Sequence, residues 1–147
     1  MSNSSVNIKL DSINLVQGEG GRKNWELTAK KSKYFKDREV IKVYLPKVKF
    51  YLKNSQKELI IEAPLGTASP QQSEIELQDG IDANYAGNEL VAESMHYRAK
   101  KDEIHFLGGV SFSQDSFLVK SRRACLDLAN KRLSFEQEVQ VYLPHSP

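Results

Sequence analysis

The chain has 147 residues and a mass of 16.7 kDa, which fits a single domain. Apolar residues make up 39% of it and charged residues 27%, which excludes collagen-like, low-complexity and wholly disordered classes. No run of consecutive apolar residues exceeds three, so we expect neither a transmembrane helix nor a signal-peptide core. The single cysteine, Cys125, excludes an internal disulfide.

The net charge of +2 is unevenly distributed along the chain. Residues 22–57 carry twelve Lys or Arg and three acids, whereas residues 58–147 carry eight basic and fourteen acidic residues. A basic segment of this kind suits contact with phosphate, a membrane surface or another subunit. The simpler interpretation is that its lysines cover the solvent faces of strands and discourage edge-to-edge pairing.

Apolar and polar residues alternate along most of the chain, which predicts short strands with one buried face. In chain order, the alternating segments are 25–29, 50–52, 59–63, 75–77, 104–106 and 139–143. Segment 25–43 is rich in Lys, Glu and Ala but lacks the i, i+3, i+4, i+7 spacing of a helix, so we predict strand there too. Frequent turn residues between the strands are typical of a sandwich, barrel or jelly roll.

The chain also contains an internal repeat. Segments 75–81, 104–110 and 133–139 align with one another without gaps and at a constant offset. A fixed period, here about 29 residues, predicts stacked units that are each too small to bury their apolar face alone. Gly80 and Gly109 fall at matching positions, where we expect a sharp bend as the chain crosses from one wall of the fold to the other.

A carboxylate cluster is the strongest indication of an enzyme. Glu74, Glu76 and Asp79 form this cluster, and glycosidases use paired carboxylates. Glu74 and Glu76 lie on the same face of one predicted strand. Strand alternation, however, places them opposite Ile75 and Leu77, on a face in contact with water, where nothing would raise a carboxyl pKa. A glycan-active jelly-roll enzyme that uses Glu74 and Glu76 is therefore the alternative of a different class.

The remaining reactive residues do not form a motif. His96, His105 and His145 lack the spacing of a metal site, and alternation places His105 on the surface. Cys125 has no histidine beside it and is interpreted as unreactive. Nucleotide-binding glycine motifs are absent, and the acidic balance beyond the basic segment argues against nucleic acid. We therefore predict no catalytic residue, no metal and no cofactor.

Two parts of the chain resemble a known family. The run Leu15-Val-Gln-Gly-Glu-Gly-Gly-Arg-Lys-Asn-Trp25-Glu-Leu-Thr-Ala29, followed by Tyr34-Phe35, resembles the opening of LptC-type lipopolysaccharide export proteins. The segments 90–97 and 106–110 resemble the repeats shared by LptC and its soluble relatives LptA and OstA. The resemblance covers about residues 10–143, and lies in pattern and order rather than in a catalytic signature.

The resemblance implies an all-β, open-edged β-jelly roll without enzymatic activity, located in the periplasm. We expect one domain over residues 1–147, with flexible tails at 1–5 and 144–147. The opening Met-Ser-Asn-Ser-Ser suggests a domain cut from a longer chain, whose N-terminal helix would anchor it in the inner membrane. A soluble LptA/OstA-like bridge is the alternative within the family.

The resemblance also implies partners. Strand 6–16 and the turn at Gly20 and Gly21 would dock on the inner-membrane transporter formed by LptB, LptF and LptG. Strand 138–143, with Val139, Val141 and Leu143, would dock on LptA. Lipopolysaccharide would pass between these edges through an apolar groove.

Inward-facing residues of the repeats are the predicted lipid contacts. They are Leu59, Ile61, Ile75, Leu77, Leu90, Met95, Tyr97, Ile104, Phe106, Val110, Phe112, Leu118, Leu126, Leu133, Phe135, Val139 and Val141. Lys47, Lys49 and Lys53 are candidates for contact with the phosphates of the lipid. Alternation alone does not separate residues that touch lipid from those that touch each other.

Overall fold

A computed structural model describes residues 7–144, and all the regular structure in that range is β-strand. The first eight strands are β1 (Asn7–Leu10), β2 (Ile13–Glu19), β3 (Arg22–Ala29), β4 (Lys31–Phe35), β5 (Val40–Tyr44), β6 (Lys47–Tyr51), β7 (Glu58–Glu62) and β8 (Leu65–Ser69). The others are β9 (Glu74–Gln78), β10 (Ile81–Tyr85), β11 (Asn88–Ala92), β12 (Ser94–Arg98), β13 (Glu103–Gln114), β14 (Phe117–Asp127), β15 (Arg132–Glu136) and β16 (Gln140–Tyr142). The predicted tails lie outside the described residues, except for Pro144.

The strands form one antiparallel sheet that is folded over into two walls. The first wall has the order β1-β4-β5-β8-β9-β12, then the first half of β13, the second half of β14, and β15. The second wall has the order β2-β3-β6-β7-β10-β11, then the second half of β13, the first half of β14, and β16. The two long strands therefore belong to both walls. The predicted all-β jelly roll is confirmed.

Consecutive hairpins alternate between the walls, so the chain turns a corner after each hairpin. Four of these corners use backbone conformations with positive φ, which occur at Leu45, Asp79-Gly80, Gly108-Gly109 and Gln137-Glu138. The last three pairs recur at the period of the repeat, as the sequence predicts, and pairing within β13 shifts register between Leu107 and Val110. Since the corners form one side of the fold, the hairpin tips lie on the other side and border an opening that we call the mouth.

The core lies between the walls and is built from every second residue of each strand. Leu27, Val43, Val48, Ile61 and Leu77 are completely buried there. The strand prediction for residues 25–43 is confirmed, because this segment forms most of β3, all of β4 and most of β5. Burial of a large aliphatic side chain contributes about 1.5–3 kcal/mol, so this shared interior holds together units that would not fold alone.

Candidate functional site

Most of the predicted groove residues face the interior, but they differ in exposure. Ten are buried: Leu59, Ile61, Ile75, Leu77, Leu90, Met95, Tyr97, Ile104, Phe106 and Val110. Four are half-buried: Phe112, Leu126, Leu133 and Phe135. Val139 and Val141 are exposed, and Val141 pairs with the buried Val119. The interior is thus closed in its middle and becomes accessible towards the last strands.

Leu118 is the exception, and its predicted inward direction is wrong. It pairs with Ser113, while its neighbour Val119 pairs with Phe112 and is 3% exposed. A shift of one residue along a strand reverses the face on which a side chain lies. The prediction matched leucine with leucine, whereas the position one full repeat after the inward Leu90 is Val119.

An apolar cavity of about 200 Å³ opens between the walls near the C-terminal end. Predicted groove residues line much of it: Leu59, Leu90, Phe106, Phe112, Leu126 and Leu133. Sequence reasoning missed the rest of the lining, which comprises Leu52, Ala83, Tyr85, Asn88 and Lys131. The alternation signal contains Leu52 and Ala83, but no sequence signal identifies Lys131, whose position depends on the β14–β15 turn. The lining of this cavity is therefore almost entirely apolar.

A larger cleft of about 730 Å³ lies at the mouth, beside hairpin tips of both walls. Arg22, Lys53 and Lys100 line it, together with the acids Glu19 and Asp102. Burial raises the pKa of Asp102, with a smaller contribution from the charge of Asp127. The cleft therefore has cationic groups along an opening that leads to the apolar interior.

Only one of the three lysines proposed for phosphate contact lies at this opening. Lys53 lines the cleft, but Lys47 and Lys49 lie on the outer face of the second wall, since the buried Val48 and Phe50 of the same strand point inward. Lys47 stands opposite Glu62, and Lys49 opposite Glu26. These two lysines follow the simpler interpretation of solvated strand faces.

Aromatic rings separate the mouth cleft from the closed core. The Tyr97 ring lies edge-on to Phe50 at 4.9 Å and to Trp25 at 6.4 Å between centroids. Burial, with a smaller effect of the Asp102 charge, raises the pKa of Tyr97 to about 12. Tyr97 therefore remains a neutral hydroxyl at any physiological pH, so a lipid that reached it would meet apolar ring faces and an uncharged polar group.

The terminal strands leave open edges at both ends of the two walls. β1 and β2 end the walls at the N-terminal side, whereas β15 and β16 end them at the C-terminal side. Val139, Val141 and Leu143 expose 47%, 49% and 73% of their surface at the second of these ends. Gly20 and Gly21 form the β2–β3 hairpin tip, with φ of 58° and 76°. They border the mouth, whereas the edge itself is strand β2.

The predicted carboxylates lie on the outer face of the first wall. Glu74 Oε1 is 2.8 Å from His96 Nε2, and Glu76 Oε1 is 3.9 Å from it. Glu74 borders a small cleft of about 190 Å³ beside Trp25 and Ser69, but Glu76 lines neither that cleft nor the apolar cavity, so the two carboxylates do not share it. The prediction that they face solvent is confirmed for Glu76, whereas Glu74 is half-buried.

The prediction that Cys125 has no histidine beside it is wrong. Antiparallel pairing sets Cys125 directly opposite His105, and Sγ lies 3.9 Å from His105 Nε2. The same nitrogen is 3.0 Å from Glu103 Oε1. Burial raises the pKa of the Cys125 thiol, with smaller contributions from Glu103 and Glu136. The two residues are far apart in sequence, and only the register of β13 with β14 brings them together.

Comparison with known proteins identifies the family. The model of the family described as "Lipopolysaccharide-assembly, LptC-related" matches residues 3–144. The chain belongs to this family. Proteins of the LptC-related family are non-enzymatic components of lipopolysaccharide transport, so the glycan-active enzyme alternative is wrong. No curated protein sequence matches the chain significantly.

One solved structure shows the same fold. It is that of LptH from Pseudomonas aeruginosa, described as the LptA-homologous periplasmic component of the lipopolysaccharide transport device. The TM-score is 0.64, with 6% sequence identity, over 82% of this chain and 95% of that one. The LptC-related chain therefore shares a jelly-roll fold with an LptA homologue. Within residues 7–144, no helix is long and apolar enough to cross a membrane.

Proposed function

We propose that this LptC-related domain carries lipopolysaccharide with its acyl chains between the two walls. The observation that carries the proposal is the 200 Å³ apolar cavity, which continues the closed core towards the open C-terminal edge. Apolar lining with few polar groups is typical of sites for lipid-like ligands. Phe112, Leu126 and Leu133 are only half-buried in it and could contact a chain without unfolding the core.

The phosphorylated sugars of the lipid would remain at the mouth. Arg22, Lys53 and Lys100 line the cleft there, and cationic side chains are the usual partners of phosphate. Lys131 lies at the rim of the apolar cavity, on the turn between β14 and β15. The distribution of charge supports this orientation, because an apolar interior strongly disfavours a phosphate.

The two open ends would serve as docking edges in the periplasm. The N-terminal edge, β1 with β2, would receive lipopolysaccharide from the inner-membrane ABC transporter LptB/LptF/LptG. The C-terminal edge, β15 with β16, would pass it to LptA, the soluble bridge protein. Unpaired backbone groups of an edge strand can accept a strand from a partner, and the exposed Val141 and Leu143 would extend the apolar interior across the junction.

Site-specific photocrosslinking tests the groove. A photoreactive residue at Phe112, which lines the cavity, should crosslink to lipopolysaccharide, whereas one at Ser113 should not. The two positions are adjacent in β13 and face opposite sides of the wall. Leu133 and Ser134 form a second matched pair in β15. Crosslinks of equal yield within each pair, in folded protein, would contradict the proposal.

A pair of substitutions tests the C-terminal edge. Val141→Glu places a charge on the inner face of β16 and should weaken LptA binding and lipid transfer. Tyr142→Glu places the same charge on the outer face, and should have little effect. Equal loss of LptA binding in both variants, or none in either, would contradict a junction formed by the inner face. Binding of LptA without binding of the LptB/LptF/LptG complex would favour the soluble-bridge alternative.

A further inference from the structure

Three metal-ligating side chains meet on the outer face of the first wall. Glu103 and His105 are alternate residues of β13 and therefore point to the same side, away from the buried Ile104 and Phe106. Cys125 lies opposite His105 on β14. One carboxylate oxygen, one imidazole nitrogen and the thiol sulfur lie within 4.8 Å of one another.

The two distances from the His105 nitrogen are close to those that a tetrahedral metal site requires. With Zn–S of about 2.3 Å and Zn–N or Zn–O of about 2.0–2.1 Å, tetrahedral angles place nitrogen and oxygen about 3.3 Å apart and nitrogen and sulfur about 3.5 Å apart. His105 Nε2 is 3.0 Å from Glu103 Oε1 and 3.9 Å from Cys125 Sγ. His105 Nε2 therefore already lies within a few tenths of an ångström of the required distance from each of the other two ligand atoms, and all three atoms lie within 4.8 Å of one another.

The donor set favours a borderline-soft cation. Thiolate and imidazole together select zinc over magnesium or calcium, which prefer ligands that are all oxygen. All three side chains are half-buried, so the site excludes part of the solvent and still leaves room for a water molecule as fourth ligand. A second histidine, His96, lies opposite His105 on β12, but its Nε2 atom forms a hydrogen bond with Glu74, so we do not include it among the ligands.

We propose that Glu103, His105 and Cys125 bind a zinc ion and that this ion links β13 to β14 in the first wall. The Cys125 thiol would lose its proton to solvent as the Zn–S bond forms, and a water molecule would complete the coordination. These two strands are the only described ones that belong to both walls, and β14 carries both strands of the C-terminal edge. The ion would therefore fix the part of the sheet on which that edge is built.

The charges around the cluster are nearly balanced. Arg98 on β12 and Asp127 on β14 stand opposite Glu103, one on each side. Arg123 and Glu136 form an ion pair at 3.2 Å along the next row. No net positive charge therefore opposes a divalent cation on this face. In the absence of metal, the hydrogen bond between His105 and Glu103 satisfies the ring nitrogen that would bind it.

Cobalt spectroscopy and zinc titration test the proposal. Co²⁺ added to the reduced protein should produce a sulfur-to-cobalt charge-transfer band and the visible bands of tetrahedral cobalt, and Zn²⁺ should displace it with one equivalent. Cys125→Ser should abolish the charge-transfer band, and His105→Asn should lower zinc affinity by more than about 100-fold, because outer-sphere partners alone contribute 10–100-fold. Zinc should raise the thermal midpoint of the unaltered protein but not of Cys125→Ser.

His96→Ala is the matched control, and His145→Ala removes the histidine that lies outside the described residues. Both should bind zinc as the unaltered protein does. The proposal is overturned if the charge-transfer band is absent. It is also overturned if zinc binding persists in Cys125→Ser and His105→Asn but disappears in a control. Circular dichroism of each variant shows whether it remains folded, and Glu103→Gln provides a third ligand substitution if one of the others does not fold.

Discussion

Filling the apolar cavity distinguishes a lipid groove from an ordinary core. Ala83 is 3% exposed in β10, and its methyl group contributes to the lining of the 200 Å³ cavity. Replacement by leucine extends the side chain into that space. We expect Ala83→Leu to stabilise the lipid-free protein and to weaken lipopolysaccharide binding, because the new side chain occupies the volume that an acyl chain would need.

The magnitude follows from the three carbon atoms added. At about 0.8 kcal/mol for each buried carbon, their burial contributes at most about 2.4 kcal/mol. Ordering a leucine side chain costs about 0.5–1 kcal/mol, so the free energy of unfolding should rise by about 1.5 kcal/mol. Ala124 is the matched control, because it is fully buried in β14 but does not line the cavity. Ala124→Leu should lower the free energy of unfolding by about 1–3 kcal/mol through overpacking.

Urea unfolding measures the difference directly. The two variants should differ by about 2.5–4.5 kcal/mol, which at slopes of about 1–3 kcal/mol/M separates their midpoints by on the order of 1–4 M. Lipid binding is measured as photocrosslinking yield from Phe112. If Ala83→Leu destabilises the protein as much as Ala124→Leu does and leaves the crosslinking yield unchanged, the cavity is not the acyl-chain site.

Two further predictions concern a corner and an acidic pair. Both glycines of the 108–109 corner have positive φ, but only at Gly108 would an added Cβ atom clash with another segment of the chain. Gly108→Ala should therefore lower the free energy of unfolding, measured in urea, by about 1–3 kcal/mol more than Gly109→Ala does. Equal losses would contradict the close approach at Gly108. The neighbouring Asp82 raises the pKa of Glu89, so the pair favours folding at acidic pH and loses this contribution as pH rises through the pKa of Glu89. Asp82→Asn should therefore lower the Glu89 pKa in a carboxyl NMR titration and reduce the gain in stability between pH 7 and pH 4, and an unmoved pKa would show that another group causes the shift.

Much of the fold could be predicted because local patterns determine it. Alternation along segments such as 104–106 arises because one face of the strand packs on the core and the other faces water. This two-residue period does not depend on which strand pairs with the segment. The constant offset of the repeat predicts where the corners lie, because it aligns Gly80 with Gly109. Glycine provides the positive φ that the turn needs at these positions. The third corner uses Glu138 at a φ of 55°, and only the repeat reveals it.

The parts that could not be predicted depend on register and on which elements meet. The repeat predicts the wrong face for Leu118 when leucine is aligned with leucine instead of position with position, and a one-residue slip has that effect in any strand. His105 and Cys125 are twenty residues apart, and no short-range pattern shows that they share a row. Lys49 and Lys53 look alike in sequence, but one lies in a strand and the other in the turn that borders the mouth.

The two proposed sites use opposite faces of the same pair of strands, which has a consequence for both. Phe106 and Leu126 line the apolar cavity from β13 and β14, while His105 and Cys125, their immediate neighbours in sequence, would hold the metal outside. An ion that fixes the spacing of these strands also fixes one side of the cavity. Zinc and lipopolysaccharide should therefore change each other's affinity by the same factor, because coupling between two binding equilibria is reciprocal. Cys125→Ser should remove the effect of zinc on lipid crosslinking and leave crosslinking in the absence of zinc unchanged, since the thiol faces away from the lipid.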